Sequence, residues 1–229
     1  MAAADSLSER LARVREEIAA AAVEAGRNPA EVSLLPVTKG HPQAVVVAAL
    51  EQGLDALGEN YVQECHAKDL ALTGAGHGRP NWHLLGHLQR NKVRLAAELF
   101  SLIETVDSLA LARAISDARA GRPPLPILCE VDFTGLPGRR GYSPAQLGAD
   151  LAALLALPGI RLQGLMTVAA RDHPARDFGA CRALRDELTR LGGVPLPVLS
   201  MGMSGDLREA VAAGSTQVRV GTLLFGPRG

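Results

Sequence analysis

One feature limits the fold more than any other. From residue 34 onward, short apolar runs alternate with stretches of helical periodicity, and eight such runs can be counted. They are Leu34 to Lys39, Leu54 to Asn60, Trp82 to Gly86, Phe100 to Val106, Pro126 to Phe133, Ile160 to Val168, Pro197 to Met201 and Gln217 to Val220. Between them lie Ala44 to Glu51, Tyr61 to Leu72, Gln89 to Glu98, Ser108 to Ala120, Pro144 to Leu155, Ala175 to Leu191 and Asp206 to Ala213, each reading as a helix. Neighbouring strands joined by a helical crossover run parallel. Eight strands in this rhythm predict an α/β chain, a single (β/α)8 barrel, with a doubly wound open sheet as the alternative. An extra helix precedes the barrel: Leu7, Leu11, Val14, Ile18, Ala22 and Ala25 form one apolar stripe, which Gly26 and Pro29 terminate.

No Pro/Ser-rich linker or composition break divides the 229 residues, so one domain over 1–229 is expected. Composition then excludes several classes of function. Lys plus Arg number 24 and Asp plus Glu 24, leaving no net field to gather nucleic acid or an acidic membrane. The chain is 47% apolar without any run of about 20 apolar residues, so no membrane span is expected. The first 15 residues lack a basic segment followed by an apolar core, which points to the cytoplasm. Cys65, Cys129 and Cys181 are widely spaced with no CxxC pair, which argues against both a disulfide framework and a zinc site.

In a barrel the functional residues sit just after the strands. Those positions hold Lys39, Asn60, His83, His87, Glu104, Asp107, Asp132, Met166, Thr167, Ser200 to Ser204, and Arg219 to Thr222. Lys39 closes an apolar run, and burying an ammonium there is costly unless it is paired or chemically used. It can snorkel to solvent, or, partly desolvated, it can condense with an aldehyde. Ser200-Met201-Gly202-Met203-Ser204-Gly205-Asp206 and Val218-Arg219-Val220-Gly221-Thr222 are small-residue turns after the seventh and eighth runs. They are tight turns on one reading and phosphate cradles on the other. Lysine and loops together point to a phosphorylated aldehyde. His83 and His87 lack a third metal ligand and read as a hydrogen-bonded pair, while Arg90, Lys92 and Arg94 read as a solvated helix face.

Six segments carry a family resemblance: Leu35 to Lys39, Leu57 to Glu64, Trp82 to Lys92, Gly164 to Val168, Leu199 to Ser204 and Ala213 to Gly226. In content and order they resemble the pyridoxal phosphate homeostasis protein family, the YggS/PROSC type. The resemblance implies a barrel of the alanine racemase N-terminal kind, fold-type III, with pyridoxal 5'-phosphate (PLP) joined to Lys39 as a Schiff base. It implies that Ser204, Gly221 and Thr222 bind the phosphate, Arg219 faces the pyridine nitrogen, Asn60 lies near the ring and Met201 packs against the cofactor. The chain departs from the family in the 134–142 loop, at Asp132 where Asn is common, and at Gly205 where an acidic residue is frequent.

Two functions fit that cofactor: a carrier that buffers or delivers PLP without turnover, and an amino-acid racemase. Racemisation needs a proton-moving group on each face of the substrate α-carbon. Alanine racemases place the second, a tyrosine, on a domain after the barrel, and this chain ends at Gly229, just past the eighth run. Tyr61 and Tyr142 lie in no such motif, so the carrier is expected, as a cytoplasmic monomer with apo PLP-dependent enzymes as possible partners. A PLP-independent aldolase is a remoter reading.

Overall fold

The computed structural model describes residues 5–227. Helix α1 (Leu7–Glu24) starts at Ser6, whose hydroxyl accepts the Glu9 N–H at 3.2 Å while the Glu9 carboxylate takes the Ser6 N–H at 2.7 Å. This reciprocal cap satisfies two amides that a helix start otherwise leaves open. Leu11, Val14, Ile18, Ala21 and Ala22 form its buried stripe.

The barrel follows as β1 (Ser33–Pro36), α2 (Gln43–Glu51), β2 (Ala56–Glu59), α3 (Val62–Gly74), β3 (Asn81–Leu84), α4 (Val93–Leu99), β4 (Leu102–Val106) and α5 (Leu109–Ala118). It continues through β5 (Leu125–Glu130), α6 (Pro144–Leu155), β6 (Ile160–Met166), α7 (Pro174–Gly192), β7 (Val198–Ser200), α8 (Leu207–Ala212), β8 (Gln217–Val220) and α9 (Thr222–Phe225). The strands pair in parallel in the order β1-β8-β7-β6-β5-β4-β3-β2. The remaining seam, β1 against β2, closes through the Val37–Gly58 bridge and a 3.0 Å hydrogen bond from the Thr38 N–H to the Gly58 carbonyl. The sheet is thus a barrel, and the open-sheet alternative falls.

Side chains alternate across the wall. Ile103, Leu199, Val218 and Val220 face the helical layer, where Trp82 and Phe178 are fully buried. Their neighbours Glu104, Ser200, Gln217 and Arg219 meet one another inside the barrel. A small separate cluster of Leu102, Leu128 and Met166 lies apart from the larger core.

Six of the eight strands end earlier than the apolar runs suggest, all but β4 and β8, because a strand lasts only as long as its neighbours offer ladder partners. β1 stops at Pro36, Val37 makes the seam bridge, and Lys39 falls in the turn before Gly40, whose φ is +71°. The helix expected over Gln89 to Glu98 divides into a 3-10 turn, Arg90–Lys92, and α4. The turn Pro29–Glu31 starts at Asn28, whose side chain accepts the Ala30 N–H at 3.0 Å, and helix α9 had no sequence signal of its own. Among the described residues no helix is long and apolar enough to cross a membrane.

Candidate functional site

A cleft of about 410 Å³ opens at the C-terminal ends of the strands. Six of the seven expected site residues line it: Lys39, Asn60, Ser204, Arg219, Gly221 and Thr222. They come from the ends of β1, β2, β7 and β8, so residues separated by up to 183 positions converge only because the barrel closes.

The seventh, Met201, does not line the cleft. It is fully buried in the layer between strands and helices. Ser200 points inward, and side chains alternate, so the next residue is driven outward. Met166 and Met203 supply the methionine surface of the cleft instead.

Two loops line the cleft after β7 and β8. After β7, the Asp206 carboxylate takes the Met203 N–H at 2.6 Å and the Asp206 N–H returns to the Met203 carbonyl at 3.2 Å. That closed turn presents Ser204 and Gly205. After β8, Gly221 and Thr222 lead into α9, and a Cβ on Gly221 would stand 3.1 Å from the Val37 carbonyl oxygen. Glycine lets the turn lie against β1 without displacing it. Among the described residues, the Ser204 and Thr222 hydroxyls and the backbone N–H groups of Ser204, Gly205, Thr222 and Leu223 make no hydrogen bond. Unclaimed donors gathered at one point suit an anion.

Arg219 forms the floor. Its guanidinium donates to Ser200 Oγ and to the Thr167 carbonyl, both at 2.8 Å. Ser200 Oγ donates to Glu104 at 2.5 Å, and Gln217 Nε2 donates to Glu104 at 2.8 Å and to Ser200 Oγ at 3.0 Å. His83 Nδ1 lies 2.8 Å from Glu104 Oε1. Burial by itself would raise the Glu104 carboxyl; His83, the Arg219 charge and the Ser200 hydroxyl outweigh it and hold the group below the ordinary range. Burial pulls the Arg219 guanidinium down, against the charges of Glu104, Asp206 and Glu130. Starting from so high a value, it stays charged at neutral pH.

Asn60 places its Oδ1 in the buried wall with no hydrogen-bond partner. The Asn60 backbone runs against Gly86, where a Cβ would come within 2.0 Å of the Asn60 carbonyl oxygen. Lys39 is half-buried at the cleft's rim. The turn that carries it is tied from behind by Lys68 of α3, whose ammonium reaches Glu59 at 2.7 Å and both Glu64 and the Thr38 carbonyl at 2.8 Å.

The remaining strand-end residues have structural partners. His87 Nδ1 lies 3.4 Å from Asp107 and its Nε2 lies 3.2 Å from Arg140. Asp132 accepts the Thr134 N–H and hydroxyl at 3.0 and 2.6 Å and starts the 134–142 loop. Neither tyrosine lines the cleft: Tyr61 is 64% exposed and Tyr142 is buried. Sequence reasoning missed Lys68, His41 and Glu130. Lys68 carried one signal, its four-residue spacing from Glu64 on a helix. His41 lines the cleft with its ring tilted 58° against Phe225, and it was visible only as a neighbour of Lys39. Glu130, at the end of β5, has its carboxyl pushed up to about 7 by burial and by the nearby Asp107 charge.

A closed parallel barrel with a rim lysine, an interior arginine and two donor-rich loops defines a protein of the alanine racemase N-terminal domain class, and that family matches residues 10–229. Solved alanine racemases share the fold at low identity: that of Clostridium difficile 630 superposes with a TM-score of 0.71 at 16% identity, over 93% of this chain and 56% of that one. Within the class the relatives are more specific. The pyridoxal phosphate homeostasis protein of Escherichia coli (strain K12) is 38% identical over 98% of this chain and 97% of its own length. That of Pseudomonas aeruginosa is 41% identical over 97% and 96%. PipY of Synechococcus elongatus PCC7942 superposes with TM-scores of 0.87 without PLP and 0.84 with PLP bound, at 38% identity over 96% of this chain. The chain belongs to the pyridoxal phosphate homeostasis protein family.

Proposed function

We propose that the cleft holds PLP and that the chain keeps it in reserve for other proteins, the homeostatic role of its family. The observation that carries this reading is the convergence of Lys39, the one lysine among the described residues that lines the cleft, with the unclaimed donors of Ser204, Gly205 and Thr222 beside Gly221. The donor set fits the group: a primary amine for the aldehyde, hydroxyls and amides for the phosphate, and an orphaned Asn60 oxygen beside the ring. One domain over residues 1–229, a monomeric state, a cytoplasmic setting and apo PLP-dependent enzymes as recipients belong to the same proposal.

PLP, when bound, supplies an aldehyde that an amine can capture and a pyridine ring that can take up electron density. Lys39 provides the amine, Ser204 and Thr222 anchor the phosphate end, and Arg219 faces the pyridine nitrogen. Because Ser200 and the Thr167 carbonyl take two of its donors and Glu104 balances its charge, Arg219 remains a fixed guanidinium and gives the nitrogen no proton. A ring kept unprotonated is a weak electron sink, which suits storage over turnover.

The chain has three lysines, Lys39, Lys68 and Lys92, so the anchor can be read directly. After mixing with PLP, borohydride reduction and digestion, the reduced adduct is expected on Lys39. Lys39→Ala should abolish it and leave the circular dichroism spectrum unchanged. An adduct on Lys68 or Lys92 alone would overturn the assignment.

A further inference from the structure

Lys68 is 7% exposed, and the three hydrogens of its ammonium find three acceptors: Glu59 Oε1, Glu64 Oε1 and the Thr38 carbonyl. Each carboxylate oxygen does a second task. Glu59 Oε1 accepts the Thr38 hydroxyl at 2.7 Å, and Glu64 Oε1 accepts the Gly40 N–H at 2.6 Å. The residues on either side of Lys39 are therefore tied to β2 and α3, and none of Glu59, Glu64 and Lys68 lines the cleft. Burial of charge in such a cluster is a poor way to gain stability, since well-packed apolar side chains commonly do as well or better. The cluster also leaves a cost standing: Glu59 Oε2 is buried without a partner, and burial raises the Glu59 carboxyl. Apolar side chains could fill the same space, but they could not hold a carbonyl, a hydroxyl and an N–H of one turn together.

We propose that Lys68, with Glu59 and Glu64, is a positioning residue for Lys39: the cluster clamps the Thr38–Gly40 turn and so fixes the direction from which the Lys39 amine enters the cleft. The inference rests on the reading of Lys39 as the PLP anchor. The amine attacks along one line, and misplacing a reacting group by about 1 Å can cost roughly 100-fold in rate. The loops that carry Ser204 and Thr222 lie after β7 and β8 and are closed by hydrogen bonds of their own, from the Met203 N–H to Asp206 and from the Leu224 N–H to the Gly221 carbonyl, so loss of the clamp should slow capture of the aldehyde without weakening phosphate binding.

The test uses three variants of the full chain. Glu64→Ala removes the acceptor of the Gly40 N–H at a side chain that is 27% exposed, where the barrel tolerates change. Glu64→Gln keeps an oxygen acceptor and serves as the rescue. Lys68→Met combined with Glu59→Gln removes the two buried charges together and leaves Glu64, whose side chain is 27% exposed, to solvent and the Gly40 N–H. Capture of PLP and of pyridoxal is followed by absorbance, inorganic phosphate is titrated as a competitor, and deuterium uptake at Gly40 is read with no aldehyde present. Glu64→Ala and the double variant should capture both aldehydes more slowly by one common factor, roughly 10- to 100-fold. The Gly40 amide should exchange faster, phosphate inhibition should be unchanged, and Glu64→Gln should behave close to the parent.

Wild-type capture rates in folded Glu64→Ala overturn the proposal, as does an equal loss of phosphate affinity, which would mark general disruption. If the double variant fails to fold, Glu64→Ala decides alone. Should the parent protein form no adduct on Lys39, the PLP reading itself falls, while Gly40 exchange still reports whether the clamp exists.

Discussion

Glu104→Gln offers a stringent test of the interior network, because it changes one atom type in a fully buried side chain. The carboxylate accepts from Ser200 through Oε2, and from Gln217 and His83 through Oε1. A glutamine keeps one acceptor oxygen and turns the other atom into a donor. If the amide nitrogen replaces Oε2, it joins Arg219 and Gln217 in donating to Ser200 Oγ, which has two lone pairs for three donors. The Ser200 hydrogen then has lost its acceptor, and the Arg219 guanidinium, 5% exposed, has lost its counter-charge. Removing one partner of a buried pair costs about 3–5 kcal/mol. The sign with pH is fixed by the depressed Glu104 carboxyl: its contribution is complete above the unfolded value of 4.5 and is lost as pH falls through the lower folded value. Urea unfolding at pH 7 should therefore show the variant less stable by about 3–5 kcal/mol, with the gap narrowing at acid pH. Equal midpoints at pH 7, or a gap that stays constant as pH falls well below 4.5, would refute this account of the network.

The loops after β7 and β8, proposed to hold the phosphate, should discriminate by charge: PLP should bind at least tenfold more tightly than pyridoxal, since charge-assisted hydrogen bonds contribute about 1.5–3 kcal/mol each, and Ser204→Ala with Thr222→Ala should erase most of that ratio. Equal affinities in the parent protein would remove the phosphate assignment. With PLP bound and Arg219 facing the ring nitrogen as proposed, L-alanine in deuterium oxide should keep its α-proton, as read by NMR, since neither tyrosine lines the cleft. Rapid exchange dependent on Lys39, and sensitive to His41→Ala, would restore the racemase. Glu130 titrates at about 7 in the folded chain against 4.5 unfolded, so its burial costs stability that grows as pH rises between those values. Glu130→Gln should raise the melting temperature at pH 8 and leave it nearly unchanged at pH 4, and a gain of equal size at both would show that charge is not the cause.

Much of the architecture could be read from the chain's local chemistry. Eight apolar runs set apart by helical stretches leave few arrangements other than a parallel barrel, and Ser6 with Glu9, or Ser143 with Gln146, announces a helix start in four residues. That Lys39, Ser204, Gly221 and Thr222 line one cleft was legible because a strand-end lysine and small-residue turns after late strands are local signals, interpretable wherever the fold is known. Met201 shows where such reading ends. Its position at the end of β7 is local, but whether it or Ser200 faces inward depends on the register of β7 between β6 and β8, and a shift of one residue reverses every side chain. Lys68 shows the same limit for charge. In sequence, Glu64 and Lys68 are an ordinary helical pair, and Glu59 lies on a separate strand. Only packing of α3 behind the β1–β2 seam brings them to the Lys39 turn and excludes water from them. The chain by itself thus determined the number of strands, their parallel sense and the lysine and loops that mark the cleft, because these follow from periodicity and backbone freedom. Tertiary structure decided strand parity, the meeting of Arg219 with Glu104 and the clamp behind Lys39, because each depends on distances between segments that only barrel closure sets.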